Sequence, residues 1–554
     1  MNKIIILVAL ILSEKSFSQW ERSTPIKAPR DNIYQLERSL FEEKVEKGKT
    51  HALFYPVTST ELVIPFKPLM TFLDLPPENR IKKEIFRLMK NVAPFKNSRE
   101  LYSWLGLHDF PIETQPESPN TLPDLSRDEI LRPMGVTIFQ KNKTDVLTFS
   151  CAACHSADLF GVKIIGLTNR FPRANEFFRR GSDLAPYLNT FLFKKVLKTT
   201  EKERVIMLHS KRALTFVGSK KPVVLGLDTS LAQVALSLSK RREDEWATKD
   251  EISRRFPRKN KLETLVSDSK PAVWWNLKYK NRWLSDGSIV SGNPVHTNFL
   301  WNEIGRGADL KVLEAWLIEH QETIDELTAA VFASKPPSYV DFFGVDSLDL
   351  EKAKRGQVHY VQSCQKCHGS YTKGWDVLSN EQPKKELLAT INMTYHEQTP
   401  VKDVGTDPGR YLGMREFSDD LNRLNISKTI GTIVEPQKGY VPPPLDGIWS
   451  RWPFFHNNSI PNLCALLTVS SQRPKTYWAG EAKDKVVDFD QDCVGYPVGD
   501  KTPAKWKKDA DYFYDTSKEG LSNAGHDDRI LTVDGKEIYT QQEKNELIEF
   551  LKTL

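Results

Sequence analysis

Two short stretches carry residues whose types and spacing can do chemistry. "DVLTFSCAACHSADLFG" (145–161) holds Cys151, Cys154 and His155, and "YVQSCQKCHG" (360–369) holds Cys364, Cys367 and His368. Thiols at i and i+3 with a histidine directly behind them match the two vinyl groups of one porphyrin, and that histidine then falls under the iron. With six cysteines and eleven histidines in 554 residues, chance supplies one such pattern in roughly a thousand chains, and two far more rarely. A four-cysteine zinc site could use both pairs but gives His155 and His368 nothing to do. A thioredoxin-like redox pair belongs after a strand in a parallel-sheet setting, and the surrounding sequence does not read that way. The motifs therefore predict two covalently attached c-type haems, with His155 and His368 as iron ligands.

What each iron does depends on its other face. An iron closed by two protein ligands passes electrons, whereas an open sixth position binds oxygen or peroxide. Nine histidines remain for distal positions: His51, His108, His209, His296, His320, His359, His396, His456 and His526. Met393 and Met414 are the methionines that follow the second motif. His359, beside the attachment site, is expected to point outward.

The elements that position these residues read as mainly α, with long irregular loops and a few short strands. "GVTIFQ" and "DVLTFS" look like two strands running into the first motif. "LDLEKAKRGQVHYVQSCQKCHG" is an amphipathic helix ending at the second, with Gly356, Tyr360 and Cys364 along one face. The closing "YTQQEKNELIEFLKTL" has a capping-box signature at Thr540 and Glu543 and an apolar stripe through Leu547, Ile548, Leu551 and Leu554. Gly356 would let that terminal helix cross the attachment helix closely, which is how a cytochrome c domain encloses its haem. "ENRIKKEIFRLMKNV" (78–92) has helical spacing, 95–130 reads as a long loop, and "LKVLEAWLIEHQETIDELTAAVF" (310–332) as a helix pair or one long helix. The chain divides into residues 1–18, a signal peptide; 19–130, an N-terminal extension; 131–340, an N-terminal haem domain with a Trp-rich insertion; and 341–554, a C-terminal cytochrome c domain.

Composition bounds the partners. Lys+Arg 78 against Asp+Glu 72 leaves a net charge of +6, a mixed-sign surface that argues against nucleic acid. "MNKIIILVALILSEKSFS" has one lysine, an apolar run from Ile4 to Leu12 and small residues before Gln19, which predicts a secretory signal cleaved after Ser18. That run is too short for about 30 Å of hydrocarbon, so the expectation is a periplasmic or secreted protein with no stable membrane insertion.

"VPPPLDGIWSRWPFFHNNSIPNLCALL" (441–467) resembles the "L-x-G-I-W-x-R-x-P-Y/F-x-H-N-G-S-x-P-T-L" signature of the dihaem cytochrome c peroxidase superfamily, closest to the branch of the latex-degrading rubber oxygenases. "PAVWWNLKYKNRWLSDGS" (271–288), "SNAGHDDRI" (522–530) and "FGVKIIGLTN" (160–169) resemble other stretches of that branch. The resemblance implies a reactive N-terminal haem on His155 and a closed C-terminal haem held by His368 and a distal His526, with His456 as the alternative. It implies an electron-relay tryptophan between the haems, for which Trp274 and Trp275 are the candidates. Calcium between the domains is common in peroxidase relatives, but no contiguous acidic loop here calls for it. The signature's glycine is Asn458 here, so the turn after His456 needs the left-handed geometry that asparagine tolerates. Cys464 and Cys493 are extra, and in an oxidising compartment they are expected to form a disulfide. The chain is shorter than a rubber oxygenase, so polymer cleavage is not carried over.

Two functions follow. One is an oxidoreductase that binds peroxide or dioxygen at the N-terminal haem and draws electrons from the C-terminal one, with an unknown electron donor or organic substrate. The other is a non-enzymatic electron carrier with both irons six-coordinate. The tryptophan-rich region 210–300 favours the enzyme, because a carrier needs only about 100 residues per haem.

Overall fold

Strands, not a helix, lead into the first motif. Val136–Lys141 and Thr144–Phe149 pair antiparallel, with Val136 opposite Phe149 and Lys141 opposite Thr144. Asn142 and Lys143 turn the hairpin at φ 51° and 59°, the mirror-image turn whose twist matches the strands. Val146 to Phe149 are buried, so register is fixed by the core and the hairpin delivers Cys151 at a defined place. Ile64–Pro65 adds a third strand. This computed structural model describes Trp20 and residues 24–554, apart from 76–79, 81–82, 85, 88–92, 112–121, 124, 126–130, 188, 190–193 and 195. The signal-like stretch 1–18 lies outside the described residues, as does much of the helix expected over 78–92.

Helices dominate the rest. Ser230–Ser239 is buried from Leu231 onward and packs with Pro294–Ile304, Leu310–Glu319 and Gln321–Ala333 in one core. The 310–332 stretch is therefore two helices. They break at His320 (φ −107°, ψ 20°), whose ring stacks on Trp316 at 4.4 Å. Part of the segment read as a loop is also helical: Ser98–Trp104 forms where Asn97 accepts the Glu100 amide as an N-cap.

A second core is built on the attachment helix, Leu350–Ser363, and the terminal helix, Gln541–Lys552. Thr540 and Glu543 form the capping box read from sequence. The two helices touch at Gly356, where an added Cβ would sit 1.9 Å from the Glu546 carbonyl oxygen. His359 does not point outward: its Nε2 lies 3.0 Å from Glu546 on the terminal helix, because that crossing draws both faces inward. The cores interleave along the chain. The first takes in Met414, Phe417, Leu421 and Val434, and the second takes in Ala157, Leu159, Ile164 and Leu167.

Candidate functional site

Each motif is a single helical turn. His155 N donates to Cys151 O at 3.0 Å and His368 N to Cys364 O at 2.9 Å, so one turn sets the two thiols and the imidazole in register. Behind each imidazole stands a backbone carbonyl: His155 Nδ1 is 3.0 Å from Ala272 O, and His368 Nδ1 is 2.7 Å from Pro443 O. A carbonyl only accepts, so Nδ1 carries the proton and Nε2 keeps its lone pair for a metal. Burial, ahead of the raising effect of that bond, pushes both rings down to about 4, so they are neutral at pH 7.

Both motifs face one cavity of about 500 Å³, lined by Cys151, Cys154 and His155 and by Cys364, Cys367 and His368. His526 lines it too. The His526 backbone is left-handed (φ 63°) after Gly525 (φ 86°), and its N–H donates to Val404 O at 2.8 Å. This turn aims the ring at His368, with centroids 6.5 Å apart. Two imidazoles sharing one metal at about 2 Å per bond stand a little over 6 Å apart between ring centres, so the pair fits a single iron. Burial first, then the charges of His368 and Arg473, push His526 down to about 3.

His456 also lines the cavity, but its ring stacks on Tyr440 at 4.0 Å and 17°. Four histidines and no methionine are among the described lining residues; Met393 and Met414 are buried elsewhere. Trp274 lies beside His155, ring centroids 5.7 Å apart, and lines the cavity. Trp275 belongs to the second core, its Nε1 donating to Asp446 O at 2.9 Å. Adjacent in sequence on the turn Trp274–Tyr279, the two indoles thus belong to different cores.

Burial raises the Cys151, Cys154 and Cys364 thiols to about 12. Thiol-redox chemistry needs a stabilised thiolate, and burial opposes one here. Among the described residues no three of His, Cys, Asp or Glu gather as a metal cluster. The cationic wall residues Lys270, Arg306 and Arg410 sit in no motif, whereas Lys280 and Arg451 stand inside the quoted stretches 271–288 and 441–467, where the pattern does not single them out.

Asn458 takes the left-handed conformation its position requires (φ 62°). Cys464 and Cys493 are joined in a disulfide. Among the described residues no helix is long and apolar enough to cross a membrane.

Residues 439–479 match a family model described as RoxA-like, cytochrome c-like. That stretch contains Pro443, which accepts from His368, and His456. The match supports a c-type haem with its iron and a haem oxidoreductase. Two uncharacterized proteins of Sinorhizobium fredii (strain NBRC 101917 / NGR234) are similar. Protein y4iJ is 30% identical over 269 residues, 40% of this chain and 41% of that protein. Protein y4iM is 39% identical over 331 residues, 51% of this chain and 63% of that protein. The matched stretches thus span less than two thirds of either relative.

Proposed function

We propose that the chain is an exported dihaem c-type cytochrome that works as an oxidoreductase, taking peroxide or dioxygen at the His155 site with the His368–His526 site as electron reservoir. The observation that carries this reading is the asymmetry of the two sites. His368 faces a second imidazole at 6.5 Å, whereas the aromatic neighbour of His155 is Trp274. A haem held at each motif would supply redox-active iron: His368 and His526 would hold one, and His155 would hold the other, which would be the one to take a small oxidant.

The chain's own residues set the conditions. The carbonyls of Ala272 and Pro443 hold the two proximal imidazoles in the ligating tautomer. Val57, Ile289, Val295 and Trp301 give the shared cavity apolar wall, while Gln233, Asn298 and Asn302 put amide groups on it. The lining carboxylate, Asp228, is held by Asn175 and by the Ser230 amide, so it is poorly placed as a mobile base. Trp274 and Trp275 form a covalently continuous step between the two cores and suit an electron relay.

A resting-state absorption and EPR spectrum, followed by peroxide, oxygen and cyanide titration, tests this reading. One high-spin centre that responds to added ligand is expected beside one low-spin centre that does not. Two low-spin centres inert to all three would leave an electron carrier.

A further inference from the structure

The wall of the shared cavity carries far more positive than negative charge. Lys270, Lys280, Arg306, Arg410 and Arg451 line it together with the exposed Lys402, and Asp228 is the one described carboxylate that does. Two of these cations have partners of their own. Arg306 lies over the Phe178 ring at 3.7 Å, and Arg410 pairs with Asp286 at 3.5 Å. Lys270, Lys280 and Arg451 have no carboxylate at ion-pair distance among the described residues. The Lys270 ammonium donates to the backbone carbonyls of Arg451 and Pro453. The Arg451 guanidinium donates to those of Pro444, at 2.6 Å, and Asp446. Nothing described donates to, accepts from or pairs with the Lys280 ammonium, although Lys280 is only 8% exposed and lines the cavity.

These three charges also work against each other. Burial first, and then the positive charge of Arg451, lowers both Lys280, to about 7, and Lys270, well below its ordinary value. Asp446 is near enough to Arg451 for their charges to interact, but its Oδ2 accepts from the Tyr279 hydroxyl at 2.9 Å and its pKa is raised by burial. Mutually repelling cations around a hollow are costly unless an anion joins them. Each c-type haem brings two carboxylates, on the porphyrin edge opposite the vinyl groups that the cysteines hold. Lys280 ends the turn that begins with Trp274 at the His155 ring, and Arg451 donates to Pro444 O, one residue after the Pro443 carbonyl that holds His368. The cations therefore stand in the region between the two motifs.

We propose that Lys280, Arg451 and Lys270 form the counter-charge for the haem propionates, with Lys280 as the member that has no other partner among the described residues. This rests on the dihaem reading above. Positive charge beside a propionate favours the reduced iron, so removing it lowers that haem's midpoint potential.

The test uses the exported, haem-loaded full chain carrying Lys280→Met, with Lys280→Gln as a second neutral variant should the first not accumulate, and Lys280→Arg as the conservative control. Covalent haems are counted first, by intact mass and pyridine haemochromogen, and midpoint potentials are then measured by spectroelectrochemistry. Two haems are expected in every variant. In the neutral variants one midpoint should fall by at least a tenfold change in the oxidised-to-reduced ratio, which is about 59 mV for one electron. Lys280→Arg should restore it. Two haems with unchanged potentials in a neutral variant, or an equal fall in Lys280→Arg, would overturn the propionate assignment while leaving the dihaem reading intact. Fewer than two haems on the unsubstituted chain would overturn the dihaem reading itself.

Discussion

Replacing Gly356 by alanine separates two opposed effects on one helix. Gly356 lies in the interior of the attachment helix Leu350–Ser363, where alanine ordinarily gains about 1 kcal/mol over glycine in helix propensity. Here the new methyl meets the terminal helix. Its carbon would lie 1.9 Å from Glu546 O, 2.6 Å from Glu546 C and 2.9 Å from the Phe550 Cβ, against an ordinary contact of at least 3.4 Å. Two of those three atoms are backbone, so no rotamer change relieves the overlap and the helices must part by about 1.5 Å. Overpacking of this kind costs about 3 kcal/mol at the upper end of its usual range. The net expectation is a loss of about 2 kcal/mol. In urea, with a slope of about 2 kcal/mol/M, the midpoint of the C-terminal transition falls by about 1 M. Urea unfolding of the haem-loaded protein, followed by haem-region absorbance and tryptophan fluorescence, measures it. A midpoint that is unchanged or raised would mean that propensity outweighs packing and that the helix crossing is not as close as described.

His526→Ala should convert the low-spin centre into one that binds added cyanide, whereas His456→Ala, which removes a ring stacked on Tyr440, should leave that centre's spectrum in place. Separating Cys464 from Cys493 by a double serine replacement opens a loop with a sequence separation of 29 and should cost about 3–4 kcal/mol; alkylation and mass spectrometry of the unreduced parent protein should find neither thiol free. Glu546 is held down to about 2, chiefly by its hydrogen bond from Arg355. Because its folded value is depressed, its contribution is complete above the unfolded carboxylate range of about 4.3 and is lost as pH falls from there towards 2. Glu546→Gln should flatten that part of the acid-unfolding curve, measured by circular dichroism.

What was legible in sequence is what short spacing determines. Cys151–His155 and Cys364–His368 are each one helical turn, so the sequence alone set their local geometry. Thr540 and Glu543 stand three apart at a helix start, and the cap followed. His526 was reached only through resemblance; what presents it is a left-handed turn and a bond to Val404, a residue more than a hundred positions earlier. Lys280 escaped because its meaning lies in what is missing around it, and the absence of a partner has no pattern along a chain. His359 was misplaced because its face of the attachment helix is covered by the C-terminal helix, a contact far off in sequence. The loop expected over 95–130 ignored the single Asn97 cap that starts a helix.

The count of covalently bound haem on the exported, mature chain bears most directly on all of this. Intact mass spectrometry together with a pyridine haemochromogen assay should give two haems per polypeptide, reduced to one in Cys151→Ala/Cys154→Ala and likewise in Cys364→Ala/Cys367→Ala. A parent chain carrying one haem or none would contradict the assignment of both motifs to a shared redox cavity.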